Sequence, residues 1–223
     1  MKKILVPIIA ALFSTAAWGN LITIGLPATS LNLVPFSRLP NATTACTRYQ
    51  QAYAAADFSG PGPITISGFS FLGGNGGNFA PGTYSFYLST ISTGIDALSN
   101  MAFDANLGAD NAAFTSVYLS GASPTNLTFS GTPFTYNPTN GNLLLDVIIS
   151  QDGPMPLGRL ASYELDGNAH GVFSRYDNFA TGNSGYGLVT EFDYTPVPDP
   201  VNTLAGLSLA AGLLWSFKTS QRR

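Results

Sequence analysis

The sequence predicts an all-β protein: an antiparallel β-sandwich of jelly-roll-like type with short helical decorations. Short runs alternate apolar and polar residues, Gly, Pro, Asn or Asp bounds each run, and no long helical pattern lies between the runs. Many short strands without intervening helices favour antiparallel sandwiches over α/β folds. The chain of 223 residues has room for one such domain, which we expect over residues 20–195.

The predicted strands are rich in β-branched and aromatic residues, which suit a pleated, half-buried surface. Seven runs fit this description, and two further runs can be added at 21–25 and 159–165. The seven are 64–72, 83–91, 114–119, 126–130, 143–150, 172–176 and 186–194.

A glycine-rich segment with five glycines over residues 73–82 separates the first two of these runs. A phosphate-binding glycine loop follows a strand and opens a helix. This segment runs from one strand pattern into another, so we expect a flexible hairpin loop.

Helical patterns are few. In residues 48–58 the side chains of Tyr49, Ala52, Tyr53 and Ala56 recur at the spacing of one helix face. Residues 97–106 can form a second short helix. We expect both segments to decorate the sheet.

The N-terminal residues 1–19 have the layout of a secretory signal peptide: two lysines, a short apolar stretch and small residues before a cleavage site. We expect cleavage between Gly19 and Asn20, with cleavage after Ala17 as the alternative. A buried first helix is the other interpretation, but Pro7 and the flanking lysines suit it poorly.

The C-terminal region 196–223 has three parts: a proline cluster, an uncharged stretch over 201–217, and a basic end with Lys218, Arg222 and Arg223. As a helix the uncharged stretch would be about 26 Å long, slightly short of a bilayer core. Bases directly after a membrane helix stay cytoplasmic, so the body would lie on the other side. The signal peptide gives the same topology.

The order of Pro198, Asp199 and Pro200, a short apolar helix and terminal bases resembles the PEP-CTERM sorting signal of Gram-negative bacteria. Asp199 stands where that signal usually has Glu, and the stretch "VPDPVNTL" is also similar to a Val-Pro-Asp-Ser-Gly tail variant. The resemblance implies recognition by an exosortase, a membrane protease. The alternative is an uncleaved membrane anchor behind a proline-rich spacer.

Several phrases of the body, among them "TRYQQAY", "ITISGFSF" and "GYGLVTEFDY", also resemble a body type found among exported PEP-CTERM proteins. This resemblance implies an exported β-sandwich and adds no activity.

Charge is distributed unevenly along the chain. The segment 20–200 contains four arginines, no lysine and twelve acids, a net charge of −8. Phosphate recognition needs clustered cations, so a nucleic acid or an anionic membrane surface is disfavoured as a partner. The single cysteine, Cys46, has no partner for an internal disulfide, and we expect it to be buried.

Candidate catalytic groups are sparse. The only histidine is His170, and Ser184 lies in "GNSGYG", which is not a nucleophile elbow. Glu164 and Glu191 are the only glutamates and could form a glycosidase pair, but acids also occur on the solvent face of any strand. We therefore expect no enzyme.

One metal candidate is present. Asp104, Asn106 and Asp110 surround Gly108 and supply oxygen ligands of the type that Ca²⁺ prefers. The spacing fails the EF-hand pattern, and Asx turns account for the same residues. Beyond this structural calcium no cofactor is expected.

The expected function is structural or adhesive, at the cell surface or in an extracellular polysaccharide matrix. The expected partners are signal peptidase, an exosortase-type protease, the membrane and an exopolysaccharide. The alternative is a glycan-binding or glycan-cleaving domain. The ten tyrosines could supply a sugar surface, but most of these rings are expected in core and cross-strand packing.

Overall fold

The structure, a computed structural model, describes residues 19–37, 46–58, 60, 62–99, 102–154, 156–166, 172–177, 183–184 and 187–198. It contains twelve strands in these residues: β1 Asn20–Ile24, β2 Pro27–Asn32, β3 Arg48–Tyr53, β4 Ile64–Phe71, β5 Gly82–Ile91, β6 Ala112–Leu119, β7 Leu127–Tyr136, β8 Asn142–Gln151, β9 Tyr163–Asp166, β10 Val172–Tyr176, β11 Asn183–Ser184 and β12 Thr190–Pro196. Short 3₁₀ turns cover Ala55–Phe58, Ile95–Ala97, Phe103–Asn106 and Pro138–Asn140.

Nearly all strands belong to two antiparallel sheets, which confirms the predicted antiparallel all-β fold. The smaller sheet has the order β1-β12-β4-β7 and the larger one the order β11-β10-β3-β8-β5-β6, while β2 and β9 form a separate pair. The predicted strands of the two sheets recur with ends shifted by a few residues. The strand predicted at 126–130 is longer in the structure and continues to Tyr136. It lies at the edge of its sheet, and an edge strand tolerates both Pro133 and the register shift opposite Ile66 and Gly68.

The two sheets pack through an aromatic core. Phe69 of β4 contacts Phe86 of β5 with ring centroids 5.5 Å apart, and Tyr53 of β3 meets Phe192 of β12 edge to face at 4.9 Å. Edge-to-face pairs are favourable beyond the area they bury. The prediction that most tyrosines pack internally is confirmed for five fully buried rings: Tyr49, Tyr53, Tyr84, Tyr136 and Tyr163.

The prediction of a helix over residues 48–58 is wrong. Residues Arg48–Tyr53 form β3, which pairs with β8 on one side and β10 on the other, and only Ala55–Phe58 forms a single 3₁₀ turn. Both faces of β3 are covered, so apolar residues do not alternate along it, and a helical spacing arises by coincidence.

The prediction of a flexible hairpin loop over residues 73–82 is also wrong. β4 and β5 belong to different sheets, and residues 72–81, here called the crossover, pass from one to the other. Five main-chain hydrogen bonds tie the crossover to three other segments, at Phe36, 121–125 and 159–162: Gly74 N to Thr125 O at 2.6 Å, Asn75 N to Ser162 O at 3.1 Å, Asn78 N to Arg159 O at 2.8 Å, Phe79 N to Gly121 O at 2.9 Å and Ala80 N to Phe36 O at 2.9 Å.

Glycine is needed in the crossover because neighbouring backbone comes too close for a side chain. A Cβ at Gly74 would lie 2.1 Å from the carbonyl oxygen of Pro124, and one at Gly77 would lie 2.2 Å from that of Leu160. At Gly74 and Gly77 the choice of glycine therefore reflects close backbone packing.

Candidate functional site

A buried polar network joins the two sheets at the inner face of β3. The Gln51 side chain is fully buried; its Nε2 donates to Tyr53 Oη at 2.7 Å and to Leu188 O at 2.8 Å, and its Oε1 accepts from Leu188 N at 2.7 Å and from the Tyr49 hydroxyl. Thr190 Oγ1 lies 2.9 Å from Tyr53 Oη and completes the network. Burial raises the pKa of Tyr49 and of Tyr53, so both phenols stay neutral hydrogen-bonding groups. This network is structural, because none of these groups is exposed.

The outer face of the six-stranded sheet is half covered. Residues 95–99 and 102–107, here called the strap, lie in the connection between β5 and β6 and fold back over β3, β8 and β10. Leu98 of the strap packs with Ala52, Leu144 and Phe173 of the sheet in a second small apolar cluster. The expected short helix over 97–106 is seen only as the two 3₁₀ turns at Ile95–Ala97 and Phe103–Asn106.

Arg48 fixes one end of the strap. Its Nε and Nη2 donate to the two carboxylate oxygens of Asp146 at 3.0 Å each, its Nη1 donates to Asp104 at 2.7 Å, and its guanidinium lies 5.5 Å from the ring centroid of Phe103. Asp146 is 2% exposed, whereas the Asp104 side chain is 84% exposed. Burial opposes the charge of Arg48, but the hydrogen bonds and charges of the two carboxylates outweigh it and raise the pKa of Arg48.

Amide side chains hold the middle of the strap. Gln50 Nε2 donates to Phe103 O at 3.0 Å, and Asn106 Nδ2 donates to Gln50 Oε1 at 2.8 Å. Asn106 also closes the strap on itself, since its Oδ1 accepts from Ser99 N at 2.7 Å and its Nδ2 donates to Ser99 O. On the β10 side, Arg175 donates twice to Leu98 O, at 3.0 and 2.8 Å.

The three residues of the calcium candidate bind different protein partners. Asp104 accepts from Arg48, the buried Asn106 bonds within the strap, and Asp110 Oδ1 accepts from Thr90 N at 2.7 Å. Over the described part of the chain, no three His, Cys, Asp or Glu side chains form a group that could hold a metal ion. Calcium binding here stays a prediction that these contacts do not favour.

No segment of the described chain covers the other half of the outer face. Thr83 and Ser85 of β5 alternate with the buried Tyr84 and Phe86, so their side chains point away from the core. In the sheet register Thr83 lies between Tyr118 and Ser150, and Ser85 between Ser116 and Ile148. We call this set of six residues the open face: Thr83, Ser85, Ser116, Tyr118, Ile148 and Ser150.

The open face combines hydroxyl groups with two exposed apolar surfaces. Ser85 Oγ and Ser116 Oγ lie 2.9 Å apart, and Tyr118 and Ile148 are 56% and 42% exposed. The Tyr118 hydroxyl donates to Asp152 Oδ1 at 3.1 Å, which fixes the ring direction and raises the pKa of Tyr118. None of the six residues carries a charge.

The remaining predicted residues lie in several elements. Glu164 lies in β9 and Glu191 in β12, and the two segments meet near these residues, since Val189 N donates to Glu164 O at 3.0 Å. Ser184 lies in β11. His170 is outside the described residues. Cys46 is fully buried, as predicted, with its Sγ 2.9 Å from Arg48 O, and burial raises the pKa of its thiol.

The predicted export and sorting residues lie at the edges of the described chain. Gly19 precedes β1, Asn20 is its first residue, and Pro198 follows β12 and is exposed. Residues 1–18, Asp199, Pro200, the stretch 201–217 and the basic end with Lys218, Arg222 and Arg223 are outside the described residues. Within the described ranges no helix has the length and apolar character to cross a membrane.

Fold and surface together define an antiparallel β-sandwich with a half-covered outer face. Comparisons of the chain with models of protein families, with curated proteins and with solved structures found no match. Sequence reasoning did not find the open face, although the alternation in "GTYSFY" signalled that Thr83 and Ser85 share a side. The other four residues of the face lie on β6 and β8, and nothing in that stretch indicates that these two strands flank β5.

Proposed function

We propose that the chain is an exported structural or adhesive protein of the cell surface or extracellular matrix, without catalytic activity. A signal peptide over residues 1–19 directs export. A PEP-CTERM-like tail over 196–223 holds the body outside the cytoplasm and presents it to an exosortase-type protease. A jelly-roll type for the body is supported by the strands from β3 to β5 and from β6 to β8, which alternate between the two sheets.

The observation that carries this proposal is the position of the two body ends. Strand β1 begins at Asn20, the residue after the expected cleavage site, and pairs with β12, which ends at Pro196 where the proline cluster begins. Asn20 lies opposite Tyr194, so the signal peptide and the tail leave the body at the same place. A membrane-tethered body can therefore fold with both attachments on one side.

The start of the tail also suits a protease. Val197 N donates to Pro63 O at 2.9 Å, so the chain is tied to the sheet as far as this residue. Pro196, Val197 and Pro198 are exposed, and each proline disfavours helix in the residue before it. Pro198, the first residue of the sorting motif, is thus exposed two residues after the end of β12.

Intact-mass measurement of the protein recovered from its native envelope tests the proposal. A species that begins at Asn20 and ends near Asp199 is expected. A mass that still includes Arg223 would contradict tail processing and leave a permanent anchor, and a mass that still includes Met1 would contradict signal cleavage. The variant Asp199→Ala is expected to accumulate with its tail attached, whereas Asp193→Ala, in β12, serves as the matched control and is processed normally.

A further inference from the structure

We propose that the open face is a binding surface for a neutral polysaccharide. The two rows of the face, Tyr118 with Thr83 and Ser150, and Ser116 with Ser85 and Ile148, run across three adjacent strands. Since neighbouring strands lie about 4.8 Å apart, each row is on the order of 10 Å long. The inference rests on the proposed function only in that the polymer lies outside the cytoplasm.

The chemistry of the face matches a sugar. Pyranose rings carry hydroxyl groups around their edge and C–H groups on their faces. Serine and threonine hydroxyls both donate and accept hydrogen bonds, and an exposed tyrosine ring offers an apolar plane with a polar tip. The bond from Tyr118 to Asp152 holds that ring in place before any ligand binds, which lowers the entropy cost of binding.

The charges on and around the open face favour a neutral polymer as its ligand. The open face has no cation, and the nearest arginine in the register, Arg48 beside Ile148, is engaged by Asp104 and Asp146. The segment 20–200 has a net charge of −8 and no lysine. An anionic polysaccharide or a phosphate-bearing surface would meet repulsion without a compensating ion pair.

A protein partner fits less well. Protein interfaces are built around buried aromatic, Met or Arg side chains and are depleted in serine. Three of the six open-face residues are serines and a fourth is threonine. The strap also shows how this protein covers an apolar sheet surface with its own chain: the covered half contains Ala52, Leu144 and Phe173, whereas the uncovered half carries hydroxyls.

Native gel electrophoresis of the full chain in detergent tests the inference. The gels contain extracellular polysaccharide of the producing cell, separated by anion exchange into neutral and acidic fractions. The neutral fraction is expected to retard the wild-type chain. Tyr118→Ala should weaken this binding by about fivefold or more through loss of the aromatic plane, and Tyr118→Phe, which keeps the ring, should weaken it much less.

Two further variants make the result specific. Replacing Ser85 and Ser116 together by alanine removes two hydroxyls and should also weaken binding. Leu157→Ala removes a side chain that is 94% exposed and lies outside the open face, and it should bind like the wild type. Circular dichroism and thermal melting check that each variant is folded.

Three outcomes would overturn the inference: no retardation by the neutral fraction, unchanged binding by the folded Tyr118→Ala variant, or retardation by the acidic fraction alone. The last would instead indicate binding through charge. The gel result does not depend on processing, so failure of the sorting proposal in the mass measurement leaves it intact. Conversely, a protein processed near Asp199 that does not bind the neutral fraction would retain the proposed function and lose this inference.

Discussion

The crossover and the strap solve the same problem in opposite ways. Both are long connections that flank β5, and both must satisfy their polar groups while lying against a sheet. The crossover is held chiefly by main-chain hydrogen bonds to distant segments at Phe36, 121–125 and 159–162, and its glycines allow that approach. The strap is held by side chains, chiefly Arg48, Gln50 and Asn106. We therefore expect that adding a side chain destabilises the crossover and that removing one destabilises the strap.

The largest effect is expected in the crossover. Gly77→Ala places a Cβ against the Leu160 carbonyl, at 2.2 Å in the present geometry, and neither backbone can move without breaking hydrogen bonds. We expect a loss of about 4 kcal/mol in the free energy of unfolding, measured by denaturant titration. Gly60→Ala is the matched control, because no atom lies within 4 Å of its Cβ position. Equal stability of the two variants would show that the crossover is loosely packed.

The next largest effect is expected at the strap. Arg48→Met leaves the carboxylate of Asp146, which is 2% exposed, buried without its cation. Removing one partner of a buried ion pair costs about 3 kcal/mol. The loss should be accompanied by faster hydrogen exchange in residues 95–99 and 102–107, with little change in the crossover. Uniform exchange across both segments would contradict their separate anchoring.

How far the sequence predicts these two regions depends on where their partners lie. Alternation within β4, β5 and β8 was sufficient to predict those strands to within one or two residues, because the signal is local. Residues 73–82 were predicted as a hairpin loop because their hydrogen-bond partners, among them Arg159 and Ser162, lie far away in the sequence and leave no local pattern. In the same way Arg48 finds its carboxylates 56 and 98 residues further along the chain.

Strand β3 shows a second reason why local sequence patterns do not predict the whole fold. Gln50 and Gln51 are both fully buried, one toward the strap and one toward β12, and a buried polar pair hides the period of 2. Only the tertiary partners Asn106 and Leu188 explain why amides are acceptable there. The open face was missed for the same reason, since its six residues come from three strands that no local pattern brings together.

A smaller and pH-dependent effect is expected beneath the crossover. Tyr163→Phe removes the hydrogen bond from its hydroxyl to Pro124 O at 3.2 Å, at a cost of about 1 kcal/mol near neutral pH. Burial raises the pKa of Tyr163 to about 12 from 10.0. Between these values the unfolded chain loses a proton that the folded chain keeps, so the tyrosine's contribution to stability is complete below pH 10 and falls as the pH rises toward 12.

Denaturant titrations of the wild type and Tyr163→Phe at pH 8 and pH 11 measure this effect. The stability difference between the two proteins should shrink at the higher pH, because only the wild type loses the contribution of this phenol. A difference that stays constant would show that Tyr163 ionises with the same pKa in the folded and unfolded chains.

The smallest effect is expected on the exposed side of the strap. Asp104 and Asp146 bind the same guanidinium, at 2.7 and 3.0 Å, but the Asp104 side chain is 84% exposed. An exposed ion pair is screened by water and salt, so Asp104→Asn should cost about 0.5 kcal/mol or less. Asp146→Asn, at the buried end, is the matched variant and should cost several times more. If the two variants were equally destabilising, the short Asp104 contact would be a main anchor of the strap, and burial would not decide which of two carboxylates on one arginine matters.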